Sequence, residues 1–314
     1  MTTTTTEAAA IARLMDNLSQ VLSGRPAVVR TVVAVFLAQG HLLIEDVPGV
    51  GKTTLAKALA RSVGGTMGRV QFTPDLLPSD LTGVSVYRAQ TGDFEFHPGP
   101  LFATVVIGDE INRASPKTQS ALLECMQERQ VTVDGTTHPL PDPFMVIATQ
   151  NPVEMAGTYP LPEAQRDRFM AQVRIGYPAQ QDELELLATG GFADPLADLD
   201  QALTDDDEIQ AARLAVRAVY VSDAVRGFIL DLVRATRRHE EIALGASPRA
   251  GLQLLAMAKA LAVVQGRDFV LPDDIQEIGV SVLAHRVVAR RGASAGPAEL
   301  IGQILRGIPA PGPS

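Results

Sequence analysis

The stretch Ile44-Glu45-Asp46-Val47-Pro48-Gly49-Val50-Gly51-Lys52-Thr53-Thr54 sets two glycines, a lysine and two hydroxyls in a spacing suited to holding phosphate. Gly49 and Gly51 let the backbone come close to an anion, and the amides from Gly49 to Thr54 point into it at the start of a helix. Lys52 would reach the outer phosphates and the Thr53 hydroxyl would hold Mg²⁺. Val47, Pro48, Gly49, Val50, Gly51, Lys52, Thr53 and Thr54 are therefore the candidate nucleotide-binding loop. The general pattern is G-x-x-x-x-G-K-[ST], and Asp46 stands where the first glycine belongs. A carboxylate aimed at a polyphosphate from about 8 Å would repel each unit charge by roughly 2 kcal/mol at an effective dielectric near ~20. Asp46 is expected to turn away and to hydrogen-bond locally at the strand-to-loop turn.

Further along, "TVVIGDEINRA" places Asp109 and Glu110 at the end of an apolar strand. In an open parallel sheet ligands sit at the carboxyl ends of strands, so both acids should face the loop. Asp109 would organise Mg²⁺ through water, and Glu110 would act as general base on the attacking water. In "FMVIATQNP" the next strand ends in Thr149, Gln150 and Asn151. A polar amide there either positions the lytic water and senses the γ-phosphate, or caps the turn before Pro152. "LPEAQRDRF" offers Arg166 and Arg168; phosphoryl transfer commonly uses an arginine from a neighbouring subunit to neutralise transition-state charge. Arg249, second in a helix begun by Ser247-Pro248, opposes the helix macrodipole and so calls for an anion or an acid nearby. Cys125 lies at helical spacing with Leu122 and Met126 and is expected to be a buried structural thiol in a reducing compartment.

The elements that must position these residues alternate in the first half of the chain. "HLLIE", "RVQFT", "TVVIGDE", "FMVIATQN" and "AQVRI" have strand character, separated by helical patterns, which implies an α/β fold: a parallel sheet covered by helices on both faces. Gly92-Asp93 and Asp134-Gly135 mark two hairpins that project from it. After Pro178 no further strand is evident, and a smaller all-helical domain is expected. Its signals are Thr204 with Asp207 as a capping box, Ser222 ahead of an apolar face of Val225, Phe228, Ile229, Leu232 and Val233, and a helix from Ser247-Pro248 to Gly266. The threonine run at residues 2–6 is expected to fray.

A chain of 314 residues with 46% hydrophobic and 20% charged residues has room for two domains and their cores. Its net charge of −9 speaks against stable nucleic-acid binding, which relies on a basic face. The start lacks a secretory pattern, and the apolar run from Val32 to Ala38 is far shorter than the roughly 20 residues of a membrane helix. A cytoplasmic protein without membrane insertion is expected. No lysine lies in an [NT]-K-x-D motif, which argues against guanine recognition.

Taken together, "EDVPGVGKTTLAKALA", "QFTPDLLPSDLTG", "HPGPLFA", "GDEINRASPKTQSALLECMQER", "ATQNPVEMAGTYPLPEAQRDRF" and "GASPRA" resemble the MoxR family of AAA+ ATPases in order and spacing, from about residue 18 to 290. The resemblance implies an ATPase domain over residues 1–178 with five parallel strands in the order 5-1-4-3-2. A helix-2 insertion at about 82–102 and a hairpin before sensor 1 at about 129–141 would elaborate it, and a helical lid would occupy 179–314. It implies ATP and Mg²⁺ bound between module and lid at the boundary with the next protomer of a ring, usually hexameric. Lys52 and Thr53 would belong to Walker A, Asp109 and Glu110 to Walker B, Asn151 would be sensor 1 and Arg249 sensor 2. Arg168, or alternatively Arg166, would be the arginine finger. Partners would be other copies of the chain and client proteins, among them proteins with von Willebrand factor A domains, remodelled in a chaperone-like way. A chelatase-subunit-like or nucleic-acid-remodelling motor is the alternative. Lys52→Ala is expected to abolish ATP binding in a fluorescent-nucleotide titration; retained affinity would remove the phosphate-loop assignment.

Overall fold

The structure, a computed structural model, describes residues 3–151, 159–178, 180–188, 196, 197, 199–203 and 206–312. Two helices, Thr3–Val21 and Pro26–Leu37, precede the first strand, so the threonine run expected to fray begins a helix at Thr3. Five parallel strands follow: β1 (Leu42–Glu45), β2 (Met67–Gln71), β3 (Val105–Asp109), β4 (Met145–Gln150) and β5 (Ala171–Val173). They lie side by side as β2-β3-β4-β1-β5, which from the other edge is the expected order 5-1-4-3-2.

Side chains alternate across a strand, and here the alternation divides the sheet between two cores. Leu42, Ile44, Val105, Ile107, Met145, Ile147, Ala171 and Val173 join the two N-terminal helices, the helix Lys52–Ser62 and the lid in one continuous cluster. Leu43, Val106, Val146 and Ala148 face the other way, onto Phe72, Leu122, Leu123, Phe144 and Phe169. Residues apolar at both parities are what a parallel sheet buried on both faces requires.

The two hairpins form as expected, Gly83–Arg88 with Asp93–Pro98 and Gln130–Val133 with Thr136–Pro139. Their rings meet: Phe96 of the first stacks on His138 of the second at 3.9 Å between centroids. Beyond the sheet the chain is largely helical. Ser222 accepts from the Val225 amide at the start of helix Asp223–Arg238, and Val225, Phe228, Ile229, Leu232 and Val233 are buried on its inner face. Ser247 caps the helix Pro248–Val264 in the same way through the Ala250 amide. Thr204 lies outside the described residues, and the helix expected there runs Asp206–Ala218. The all-helical expectation needs one correction, because Ile242–Leu244 pairs antiparallel with Val288–Ala289. Strands of three and two residues are too short to show an alternating pattern. No helix among the described residues is long and apolar enough to cross a membrane.

His41, just before β1, is buried and joins three elements. Its Nδ1 accepts from the Val146 amide at 3.0 Å and its Nε2 lies 3.0 Å from the Met126 carbonyl, so the neutral ring donates there. Burial pulls its pKa from near 6.5 down to about 4. As pH falls below 6.5 the unfolded chain takes up a proton that the folded chain refuses until about 4, so folding stability is lost across that window. His285 is lowered by burial in the same direction. Between pH 7 and pH 5 His41 alone should withdraw about 2 kcal/mol of stability. Urea denaturation at both pH values should show that loss, and His41→Gln should be less stable at pH 7 with a shallower pH slope.

Candidate functional site

The helix Lys52–Ser62 begins directly after Gly51, and the turn that leads into it requires positive φ at Gly49 (86°) and Gly51 (87°). Only glycine takes that conformation without strain, and no atom lies within 4 Å of where a Cβ on either would stand. The backbone is thus bare where an anion would approach the helix N-terminus.

Asp46 is 8% exposed and points away from this opening. Its Oδ1 accepts from the Val47 amide at 2.9 Å, the local bond expected of an aspartate at a turn. Its Oδ2 accepts from the amides of Ile175 and Gly176 at 2.7 and 2.6 Å, just past the end of β5. The carboxylate therefore joins the exits of two neighbouring strands and leaves the phosphate-facing amides clear. Lys52 donates through Nζ to the Asp46 carbonyl at 2.7 Å. Burial draws the pKa of Lys52 below its usual value, opposed by the negative charges of Asp46, Asp109 and Glu110.

A cavity of about 410 Å³ opens at the carboxyl ends of β1 to β4. Pro48, Gly49, Gly51, Lys52, Thr53 and Thr54 form one wall, and Asp109, Glu110, Arg69, Gln71 and Thr149 form the other. Asp109 Oδ2 pairs with Arg69 at 3.1 Å. Glu110 Oε2 accepts from Gln71 Nε2 and from Arg113, each at 2.9 Å. Glu110 itself has φ 61°, ψ 49°, a conformation costing a non-glycine residue on the order of 1–3 kcal/mol. Its amide donates to Thr149 Oγ1 at 3.0 Å, so β4 holds the bend that aims its carboxylate.

Arg69 and Gln71 were not singled out in the sequence as site residues. Both lie on one face of edge strand β2 with buried Val70 between them, and β2 pairs directly with β3. Two polar side chains at alternate positions, at the carboxyl end of the strand beside "IGDE", were the available signal.

The remaining candidates are elsewhere. Asn151 follows β4 and is half-buried, but it does not line the loop cavity. Arg168 and Arg249 line a second cavity, of about 190 Å³, with Gln39, Gly40, His41, Met126, Gln127, Arg129, Met170 and Gln253. These residues cluster at the amino ends of β1 and β5, across the sheet from the phosphate loop. Arg166 is not among them and lies 3.9 Å from Glu163. Cys125 is buried, and burial pushes its thiol up to about 11, which keeps it protonated and unreactive.

One ion pair gathers the second cavity. Asp167 accepts from Arg286 Nε at 2.9 Å and from Ser247 Oγ at 3.3 Å. Arg286 is buried, which lowers its pKa to about 10 against the pull of Asp167, and it also donates to the carbonyls of Met170, Phe169 and Val282. Asp167 thus ties the segment carrying Arg168 to the cap of the helix carrying Arg249.

Comparison with known proteins gives a consistent result. The description "ATPase family associated with various cellular activities (AAA)" matches residues 41–171, and an AAA lid domain matches residues 234–305. Over 278 residues the chain is 48% identical to the uncharacterized protein YeaC of Bacillus subtilis, covering 88% of this chain and 87% of that protein. It is 42% identical to Chaperone MoxR1 of Mycobacterium tuberculosis, covering 95% and 82% respectively. A crystal structure of a protein from Cytophaga hutchinsonii superposes with a TM-score of 0.90 at 37% identity over 99% of this chain and 97% of that one.

The Asp46 bonds separate folding from binding. Asp46→Gly leaves three amides without their acceptor and should lower stability by roughly 2–4 kcal/mol in urea denaturation. ATP affinity of the folded protein should stay within a few-fold of wild type, and a large change would mean that the carboxylate faces the nucleotide.

Proposed function

This chain belongs to the MoxR family of AAA+ ATPases, and from that premise we propose that it binds Mg-ATP in the 410 Å³ cavity and hydrolyses it to ADP and phosphate. The observation that carries the proposal is the convergence of Lys52, Thr53, Asp109 and Glu110 on that cavity. Bare amides at a helix N-terminus and a half-buried ammonium suit a polyphosphate on one wall, and two carboxylates suit a cation on the other. Among the described residues no group of three or more His, Cys, Asp or Glu could hold a metal alone, so a cation here depends on phosphate and water oxygens as Mg²⁺ does. Thr53 and Asp109 would hold it, and when bound it supplies positive charge against the phosphoryl oxygens.

The chain's own residues divide the work. The amides from Val47 to Thr54 and the Lys52 ammonium bind and orient the phosphates. Glu110 takes the proton of the attacking water, and for that its Oε2 must give up or share its bonds to Gln71 and Arg113. Asn151, one residue beyond β4, is the proposed sensor of the γ-phosphate. Arg168 and Arg249 are the proposed arginine finger and sensor 2. Gly40 and Asp46 bracket β1, and the six steps between them span about 20 Å, further than an arginine side chain reaches. Both arginines therefore act on the nucleotide of a neighbouring copy, in a closed ring that is hexameric as in the family.

Residues 1–178 form the ATPase domain of this proposal and 179–314 its lid, with the matched lid segment inside the second part. The hairpins within 82–102 and 129–141 are the surfaces offered to client proteins; Phe94 at the tip of the first is 73% exposed. A relative named Chaperone MoxR1 supports chaperone-like remodelling or maturation of clients, with proteins containing von Willebrand factor A domains as the proposed class. A cytoplasmic location fits a lone, buried thiol. Glu110→Gln should bind ATP like wild type and hydrolyse it at least about a hundredfold more slowly in a phosphate-release assay. Unchanged turnover would mean another base.

A further inference from the structure

Three guanidiniums, Arg129, Arg168 and Arg249, line the cavity at the amino ends of β1 and β5, and among the described residues no carboxylate lines it with them. Among the described residues Arg168 and Arg249 make no side-chain hydrogen bond or ion pair. Arg129 donates through Nη2 to a neutral group, the Gln39 carbonyl, at 3.1 Å. The acid whose charge acts on Arg129, Asp142, is already bonded to the buried Arg213 at 2.6 Å, and Asp167, next to Arg168, is bonded to Arg286 and Ser247. Burial pulls the pKa of Arg129 down and Arg213 adds to that, with Asp142 opposing. Positive charge is thus concentrated in a partly desolvated space without its counterion, an arrangement stabilised by an anion.

The backbone gives a second indication. Arg129 ends the helix Pro116–Glu128 with φ 54° and ψ 32°, the left-handed position that glycine fills without strain. An arginine is held there instead, and the turn directs its side chain to the cavity. At about 190 Å³ the space is below the roughly 300 Å³ at which pockets for drug-sized molecules begin, and it suits a phosphate end better than a whole nucleotide.

We propose that Arg129 contacts the terminal phosphates of the ATP held by a neighbouring copy's loop, as the third guanidinium of one receptor with Arg168 and Arg249. The inference rests on the action of Arg168 in trans and adds a residue to it. Arg129 also sits at the base of the hairpin Gln130–Val133 with Thr136–Pro139, so the contact sets a neighbour's triphosphate one residue away from a proposed client-facing element.

The test is complementation in mixed assemblies. Arg129→Ala should keep ATP affinity within a few-fold of wild type, since the loop that holds the nucleotide is intact, and lose more than about tenfold in hydrolysis. Lys52→Ala should be inactive but carry all three arginines. Co-expressed one to one, the two should recover about a quarter of the wild-type rate, the share of ring interfaces that pair an intact loop with an intact arginine set. Arg168→Ala mixed with Lys52→Ala is the control and should recover to the same extent. Recovery in the control but not with Arg129→Ala, or wild-type turnover by Arg129→Ala alone, would overturn the inference and leave the proposed function standing. No recovery in either mixture would overturn the action in trans itself. Should Arg129→Ala lose nucleotide affinity through misfolding, Arg129→Gln, which keeps side-chain bulk and an amide donor near the Gln39 carbonyl, enters the same mixture and is decided by the same outcomes.

Discussion

A parallel sheet has polarity, and β1 is the strand on which that polarity matters most here. Its carboxyl end runs into the phosphate loop, and its amino end, at Gly40 and His41, borders the arginine cavity. The strand has four residues, yet its rigid length keeps the two sites apart because an extended chain cannot be compressed. One copy therefore presents bare amides and acids at the carboxyl ends of the strands and, at the amino ends, guanidiniums that pair with no acid among the described residues. Under the proposed function two such complementary ends would meet head to tail, and contacts of that kind close into rings when the rotation permits.

Two carboxylates hold these ends to β5. Asp46 bonds the amides of Ile175 and Gly176 where β5 ends, and Asp167 bonds Arg286 and Ser247 shortly before β5 begins. Between them lies a strand of three residues. The loop that would hold one nucleotide and the arginine that would act on another are thereby connected through a few residues of backbone. Removing one partner of such a buried pair leaves a charge or an amide uncompensated, which is why both are costly to break.

Much of this was legible in the sequence because the signals are local. Gly49, Gly51, Lys52 and Thr53 lie within five residues of each other, and Asp109 and Glu110 end a short apolar run with strand character. The sheet order followed from the resemblance those motifs carry, and the caps at Ser222 and Ser247 from patterns of four residues. Long-range partners were not legible. Asp46 was expected to turn away and does, but its bonds to Ile175 and Gly176 span about 130 residues of sequence. Arg69 and Gln71 acquire meaning only once β2 lies beside β3. Arg168 and Arg249 were recognised singly, and only the fold brings them to one cavity with Arg129 and away from the loop. The short pairing of Ile242–Leu244 with Val288–Ala289 lacks any periodic signal.

The most direct measurement is a structure of the assembled Glu110→Gln protein with ATP. The account predicts nucleotide density at the loop of each occupied copy, with its terminal phosphate against Arg168 and Arg249 of the adjacent copy. Density in which a copy's own Arg168 and Arg249 approach the phosphates on its own loop would contradict it.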